Sequence, residues 1–261
     1  LLLISIGLKG GIELAKQSLV SLLPDMVAVI FMGSLLTLIA FPVLFFLGKF
    51  KKADAASIAA HDGSVSVGTL AVAVAYYGTQ KVFYEEHMPL LLVLLEIPAI
   101  LVGIILAKGL TKNTKWSIIY HEVFLGKGIV LLVGGLVIGW IAGPEGVTSI
   151  EPLFFDLFKG VLAIFLLEMG LIAASQVGSL KEHGTFLIAF GILMPLFSAV
   201  IGSVFGLALG LSVGGIGMLA TLAASASYIA VPAAMRISVP EANPTLSLTA
   251  SLGITFSFNV I

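Results

Sequence analysis

The sequence predicts an all-α polytopic membrane protein, and three observations support this prediction. Hydrophobic residues make up 59% of the 261 residues and charged residues only 10%. The mean hydropathy is +1.17, whereas a soluble domain is nearer half apolar and a quarter charged. The apolar residues also fall in runs long enough to cross a bilayer. These features argue against a soluble enzyme, and a net charge of -1 gives no reason to expect a nucleic-acid partner.

The apolar runs divide the chain into nine candidate spanning segments, which we letter a to i. A helix needs about 20 mainly apolar residues to cross the hydrocarbon core. The segments are a (1–19), b (24–48), c (55–78), d (88–108), e (123–142), f (152–175), g (186–211), h (214–236) and i (from 245). Because the chain begins and ends inside apolar runs, we expect a further span before residue 1 and a segment i that continues past residue 261.

The loops between the segments differ in their content of basic residues. Lysine and arginine are enriched in the cytoplasmic loops of membrane proteins. The b/c, d/e, f/g and h/i loops hold Lys49, Lys51, Lys52, Lys108, Lys112, Lys115, Lys181 and Arg236, whereas the opposite side has Lys9, Lys16 and Lys81. This bias predicts that the b/c and d/e loops are cytoplasmic and that the e/f loop lies outside.

An internal repeat relates the two halves of the chain. A shift of 163 residues places Ser64 on Ser227, and it superposes the two segments, c and h, that are rich in Gly, Ser and Thr. Segment f is the fifth span after its counterpart a, and because five is odd, the second copy enters the membrane from the opposite side. Such inverted repeats are common in secondary transporters. We predict two five-helix repeats, ten spans in all, with 1–108 in the first, 123–261 in the second and a cytoplasmic loop at 109–122.

Segments c and h contain residues that interrupt helices. In c, HDGSVSVGTLAVA (61–73) has two glycines and several hydroxyl side chains, which weaken a helix. In h, AASASYIAVPAAM (223–235) contains Pro232, which lacks an N–H and favours a first helical turn. We therefore predict that both helices break near their middles, at about 62–68 and 225–232. Unpaired backbone at this depth is tolerated only beside protein or water.

The helix halves that resume near Thr69 and Pro232 are expected to direct their N-termini towards each other. Each N-terminus behaves as about half a positive charge with free N–H donors. The pair therefore predicts a site for a small anion that needs no arginine. We expect the residues beside the breaks to bind it: Gly63, Ser64, Ser66, Thr69, Ser225 and Ser227. The alternative is that these small residues only allow helices to pack closely.

Three carboxylates fall at membrane depth: Asp62 in c, Glu96 in d and Glu168 in f. An unpaired carboxylate there costs about 2.5–3.5 kcal/mol on insertion scales, and the sequence offers no obvious basic partner. A bound cation would remove this penalty, and hard cations take oxygen ligands. We predict Asp62, Glu96 and the hydroxyl of Ser227 as Na⁺ ligands, with Na⁺ as coupling ion and no other cofactor. The alternative is a protonated structural carboxyl group.

Five strings, in their order and spacing, resemble the sodium-dependent bicarbonate transporter family. They are IGLKGG (6–11), GSVSVGTLA (63–71), LLEIPAILV (94–102), WSIIYHEVFLGKG (116–128) and PEANPTLSLTAS (240–251). The resemblance extends over nearly the whole chain. It implies a core and a gate domain that move as an elevator, a homotrimer in the bacterial cytoplasmic membrane, bicarbonate and Na⁺ as ligands, and a site between the broken helices c and h.

The chain also departs from the pattern of this family. Where the family has an acidic residue after the serines of h, this chain has Tyr228, and Asp62 precedes the matching part of c. The d/e loop, 109–122, is shorter than in the family, where a longer loop lies on the cytoplasmic side. The resemblance also implies a PII-like cytoplasmic regulator, but the shorter loop gives this partner less support than bicarbonate and Na⁺ have.

These observations together predict Na⁺-coupled symport of bicarbonate or a similar small anion. Two alternatives share the architecture: a carboxylate symporter, and a Na⁺/H⁺ antiporter in which Asp62 and Glu96 would exchange protons. A passive channel would differ from all of these in lacking counterflow exchange. An intramembrane enzyme is not indicated, because the sequence contains no HExxH, GxSxG or GxGD motif.

Overall fold

The fold is that of a computed structural model, which describes residues 1–16, 20–85, 87–109, 125 and 127–261. Within these ranges every regular element is helical and no strand occurs, which confirms the all-α prediction. Six helices of the described chain are long and apolar enough to cross a membrane: Leu23–Leu47, Lys52–Gln80, Met88–Lys108, Val130–Ile150, Phe158–Ser175 and Gly184–Ala208.

The helices follow the lettered segments. The first part of the chain forms α1 (Leu2–Leu14), α2 (Leu23–Pro42) with a π-helical extension (Val43–Leu47), α3 (Lys52–Gly63), α4 (Val67–Gln80) and α5 (Met88–Lys108). After it come α6 (Lys127–Val147), a 3-10 turn (Thr148–Ile150), a π turn (Pro152–Asp156) and α7 (Phe158–Ala208). The last part comprises α8 (Val213–Ala224), α9 (Ala230–Ser238), α10 (Pro244–Leu248), a π-helix (Thr249–Phe256) and α11 (Ser257–Val260).

Some boundaries differ from the predicted ones. Helix α1 ends at Leu14 rather than near residue 19. Segments f and g form one helix, α7, which only Gly184 interrupts with a φ of 77°. A positive φ is accessible to glycine because it lacks a Cβ. The loop expected between f and g is therefore replaced by a helical turn and a single kink, and most of the predicted loop at 109–122 lies outside the described residues.

Helices α1 and α6 pack through glycines, which explains the IGLKGG string. A Cβ built on Gly135 would lie 2.7 Å from the carbonyl oxygen of Ile4 and 3.1 Å from the Cα of Gly7. A Cβ on Gly7 or Gly11 would likewise collide with the α6 backbone. Small residues allow two backbones to approach closely in lipid, where apolar surfaces alone give little driving force for association.

The remaining helices pack around the two broken ones. Helices α2, α3 and α5 contact one another, and the second span of α7 contacts α8 and the terminal π-helix. Leu44 of the α2 extension and Ala55 of α3 share one buried cluster with Leu187 and Phe190 of α7. This packing encloses α3 and α8 on several sides, so polar atoms at the breaks lie away from lipid.

The two broken helices run in opposite directions. After α4, the carboxylate of Glu85 accepts the backbone N–H of Ser212, just before α8, at 2.6 Å. At the other end Asp54, in the first turn of α3, accepts the N–H of Asn243, which follows α9, at 2.7 Å. The pair α3–α4 therefore runs from the Asp54 end to the Glu85 end, and α8–α9 runs the other way. An inverted repeat requires this relation, and the division of the chain into two repeats stays a prediction.

Candidate functional site at the crossing of two broken helices

Both helices are interrupted within the predicted regions. The unwound backbone occupies residues 64–66 between α3 and α4, and residues 225–229 between α8 and α9. Helix α4 begins at Val67 and α9 at Ala230, which are 163 residues apart. This is the same shift that relates the two segments in the sequence.

The half-helices begin two residues earlier than predicted. The hydroxyl of Ser66 caps α4 by accepting the backbone N–H of Thr69 at 3.0 Å, so Thr69 is the third residue of the helix rather than its first. Pro232 is likewise the third residue of α9. Thr69 and Pro232 therefore still lie in the first turns of α4 and α9, the part of a helix that a serine can cap and that tolerates proline.

The two breaks are hydrogen-bonded to each other. The backbone N–H of Ser227 donates to the carbonyl oxygen of His61 at 2.8 Å. The backbone N–H of Ser66 donates to the Ser225 hydroxyl at 2.9 Å, and that hydroxyl donates to the carbonyl oxygen of Leu222 at 2.7 Å. Each break thus supplies partners for the unwound backbone of the other, as a helix interruption at this depth requires.

The predicted substrate-binding residues therefore divide into two sets. Ser66 and Ser225 are engaged in the cap and the cross-link, and the Ser227 hydroxyl accepts the Val231 N–H at a long 3.4 Å. The hydroxyls of Ser64 and Thr69 are buried and have no hydrogen-bond partner among the described residues. Ser64 and Thr69 are the hydroxyls that remain available to a ligand.

Gly63 has a packing role. A Cβ at this position would collide with the side chain and backbone of Thr37 in α2, so the C-terminus of α3 can approach α2 only with glycine there. The alternative weighed from the sequence, that small residues permit close packing, explains this member of the set.

A cavity of about 270 Å³ opens beside the starts of α4 and α9. Val67 and Gly68 of α4 line it together with Ile229, the residue before α9, and Phe165 and Glu168 of α7 contribute the facing wall. Glu168 is exposed rather than buried at depth. A water molecule occupies about 30 Å³ of liquid, so the cavity has room for a small anion at the positive ends of two helices.

A second, much narrower cavity, too tight to hold a water molecule, lies on the other side of the break in α3. Its polar lining residues are His61, Asp62, Ser251 and Thr255. Asp62 is 4% exposed, and its Oδ2 has no hydrogen-bond partner among the described residues. The cavity therefore places an unpaired carboxylate oxygen among other polar groups.

The other polar groups of this cavity can offer lone pairs. The hydroxyl of Ser251 donates to the carbonyl oxygen of Ser247 at 2.8 Å, and that of Thr255 donates to the carbonyl oxygen of Gly191 at 3.0 Å. Their hydrogens are thus already used. His61 Nδ1 lies 2.7 Å from the carbonyl oxygen of Ser57, which can only accept, so Nδ1 carries the proton and a neutral ring presents a lone pair at Nε2. The polar part of the lining therefore consists of acceptors, which favours a cation.

Glu96 is buried in α5 but does not line the second cavity. It lies one helical turn before Ile100, which packs with Ala60 and Val231 at the crossing. No ion pair between described residues involves Glu96 or Asp62. The two carboxylates predicted to bind Na⁺ are therefore both near the breaks, and it is Asp62 that faces a cavity of acceptors.

Three residues at the crossing carry features that the sequence reading did not use. Ser251 and Thr255 are spaced i, i+4 in segment i, so they fall on one helical face, and this spacing was a usable signal. They lie in the terminal π-helix, a conformation that is frequent at functional sites. The third is Tyr228, whose position against α4 depends on tertiary structure.

Two antiparallel broken helices that meet at a polar centre within a bundle of membrane helices are the features of an ion-coupled secondary transporter. The chain belongs to the Na⁺-dependent bicarbonate transporter superfamily, whose family model matches residues 1–261. This is a family of transporters and not of enzymes, and together with the six apolar helices found among the described residues it indicates a multi-pass membrane protein. No sequence among curated proteins matches the chain.

Proposed function

We propose that the chain carries bicarbonate, or a similar small anion, in symport with Na⁺ across a bacterial cytoplasmic membrane. The observation that supports this most is the pair of cavities at the crossing. One lies beside the first two residues of α4, and the other contains acceptor groups around Asp62. Ligands of opposite charge can therefore bind within one crossing.

The anion side relies on backbone rather than on basic residues. The first N–H groups of α4 and α9 have no partners inside their helices apart from caps, and each helix start carries about half a positive charge. The hydroxyls of Ser64 and Thr69 can donate to an oxyanion. Bicarbonate, with three oxygens around one carbon, can accept hydrogen bonds from several such donors at once.

The cation side relies on Asp62 and the neutral acceptors around it. The C-termini of α3 and α8 add partial negative charge on this side of the breaks, and discontinuous helices of other transporters hold Na⁺ in the same way. We assign Asp62, Ser251 and Thr255 as Na⁺ ligands. Glu96 and Ser227 remain proposed Na⁺ ligands, with less support than these three because they do not line this cavity.

The coupling of Na⁺ transport to anion transport follows from the contact between the cation side and the anion side of the crossing. A bound Na⁺ offsets the charge of Asp62, which would otherwise be unfavourable at this depth. One Na⁺ and one bicarbonate carry no net charge, so the loaded pair is easier to move through lipid than either ion alone. The inverted repeat, a core and gate that move as an elevator, the homotrimer and a PII-like regulator remain proposals that rest on family resemblance and on the opposite directions of the broken helices.

Two other functions fit the same architecture. A carboxylate symporter would use the anion cavity with a different ligand, and a Na⁺/H⁺ antiporter would use Asp62 and Glu96 without any anion. The first turn of α4, whose free N–H groups border the larger cavity, favours an anion carrier over the antiporter.

The test is uptake of labelled bicarbonate into proteoliposomes that contain the full-length protein. We expect uptake with an inward Na⁺ gradient and little uptake when K⁺ replaces Na⁺. Unlabelled bicarbonate should compete, and small carboxylates should compete less. Na⁺ uptake that is independent of bicarbonate and driven by a proton gradient would contradict the proposal and favour the antiporter.

A further inference from the structure

Tyr228 lies in the second break, between α8 and α9. Its ring packs edge-on against Phe256, with centroids 5.0 Å apart and an interplanar angle of 64°. The side chain is only 8% exposed. The ring is therefore held in one place by the terminal π-helix, and its hydroxyl has a defined direction.

The hydroxyl of Tyr228 reaches the first turn of α4. A Cβ built on Gly68 would collide with the Tyr228 oxygen, so the two residues are in contact across the crossing. The oxygen lies near the Ser66 side chain, without a hydrogen bond of acceptable geometry to any described residue. A buried hydroxyl without a partner is unfavourable, and a ligand at this point would supply the partner.

The surroundings of the hydroxyl favour an anion. Val67 and Gly68 are the first two residues of α4, where backbone N–H groups have no partners inside the helix. Both residues line the 270 Å³ cavity, as do Phe165, against which Gly68 also packs, and Glu168 with its carboxylate; the Tyr228 hydroxyl adjoins this lining through Gly68. A phenolic hydroxyl can donate one hydrogen, so it adds a side-chain donor to a group of backbone donors.

We propose that the Tyr228 hydroxyl binds the transported anion by donating a hydrogen bond to one of its oxygens, and that the fixed ring limits the anion to a small, planar oxyanion. This inference rests on the proposed function. Gly68 has a linked role, because any larger residue there would displace the hydroxyl from the start of α4.

Substitution of the hydroxyl alone tests the inference. Tyr228→Phe keeps the ring and its contact with Phe256 but removes the donor. We expect the bicarbonate concentration for half-maximal uptake to rise about three- to tenfold, the range for one lost hydrogen bond. The Na⁺ concentration for half-maximal uptake, measured at saturating bicarbonate, should not change. Tyr76→Phe is the matched control, since Tyr76 lies on α4 and is 59% exposed.

The coupling to Gly68 gives a second test. Gly68→Ala should also weaken the apparent affinity for bicarbonate. The double variant Gly68→Ala, Tyr228→Phe should bind bicarbonate no more weakly than the more impaired of the two single variants, because both changes remove the same interaction. Additive losses would show that Gly68 acts separately from Tyr228.

The outcomes distinguish this inference from the proposed function. Wild-type protein without Na⁺-dependent uptake contradicts the proposed function. Wild-type uptake that is unchanged in Tyr228→Phe contradicts only the present inference, and a shifted Na⁺ midpoint would move Tyr228 to the cation side and overturn it. The thermal stabilisation of purified protein by bicarbonate is a readout independent of transport: a three- to tenfold higher bicarbonate requirement in Tyr228→Phe supports the inference, and an unchanged requirement overturns it.

Discussion

The backbone N–H of Ser227 donates a hydrogen bond of 2.8 Å to the carbonyl oxygen of His61. This bond joins the break of one helix to the last turn before the break of the other. Since Asp62 follows His61, the bond also fixes the carboxylate relative to α9. The two half-sites are thus parts of one structural unit, and changes on one side are expected to affect the other.

The cross-link between Ser66 and Ser225 predicts a loss of stability. Ser225→Ala removes the acceptor of the buried Ser66 N–H, and leaving such a group unpaired costs about 1–3 kcal/mol. We expect a lower thermal unfolding midpoint in detergent. Ser203→Ala is the control, because the Ser203 hydroxyl only bonds the carbonyl one turn earlier in its own helix. Equal effects of the two substitutions would show that the cross-link contributes little.

The packing of α1 against α6 is tested by two neighbouring glycines. A Cβ on Gly135 would meet the Ile4 carbonyl oxygen at 2.7 Å, whereas one on Gly134 would meet nothing within 4 Å. Gly134→Ala should be neutral or stabilising, because alanine favours helix by about 1 kcal/mol over glycine. Gly135→Ala should destabilise and loosen the helix pair. The measurement is the thermal midpoint of each variant, and the reverse order would contradict this interface.

Glu85 is predicted to stabilise the start of α8. Its carboxylate accepts a hydrogen bond from the Ser212 N–H. The Ser212 hydroxyl in turn caps α8 by accepting the Gly215 N–H at 3.0 Å. Glu85→Ala should destabilise by about 0.5–2 kcal/mol, the range for loss of a helix cap. Glu145→Ala, at an exposed position in the last turn of α6, should have little effect. Matching thermal midpoints for the two variants would refute the capping role.

The stability should depend on pH through His87. Burial lowers the pKa of His87 below its ordinary value of 6.5, and the Asp25 carboxylate, 3.2 Å away, acts in the opposite direction. The unfolded chain therefore binds a proton at a higher pH than the folded protein does, and stability falls as pH drops below 6.5. His87→Gln should flatten the pH profile of the thermal midpoint there, and parallel profiles would contradict this assignment.

Much of the fold was predictable because the signals are local. Glycine, serine and proline at the breaks have the same helix-weakening effect in any context, so the interruptions at 64–66 and 225–229 fell within the predicted regions. Apolar length likewise predicted the six spans of the described chain, which are segments b to g, whereas a, h and i, also predicted as spans, are not among them. The kink that replaces the f/g loop was not predicted, because one glycine with positive φ can turn a helix without any polar connecting segment.

The roles of individual hydroxyls could not be predicted. Ser64 and Ser225 look alike in the sequence, yet the Ser225 hydroxyl is used by the Ser66 N–H and the Leu222 carbonyl, whereas Ser64 has no partner among the described residues. Which hydroxyl is engaged depends on contacts between distant segments. The same holds for Tyr228, whose oxygen contacts Gly68.

The central claim is that Asp62 holds the coupling ion within the same crossing that binds the anion. The most direct test is a Na⁺ titration of bicarbonate uptake in Asp62→Asn, which keeps the size of the side chain and removes its charge, beside Glu96→Gln. We expect the Na⁺ midpoint of Asp62→Asn to rise at least tenfold, about 1.4 kcal/mol, with bicarbonate affinity partly restored at saturating Na⁺. A smaller shift is expected for Glu96→Gln, which does not line the acceptor cavity. An unchanged Na⁺ midpoint in Asp62→Asn would contradict the account.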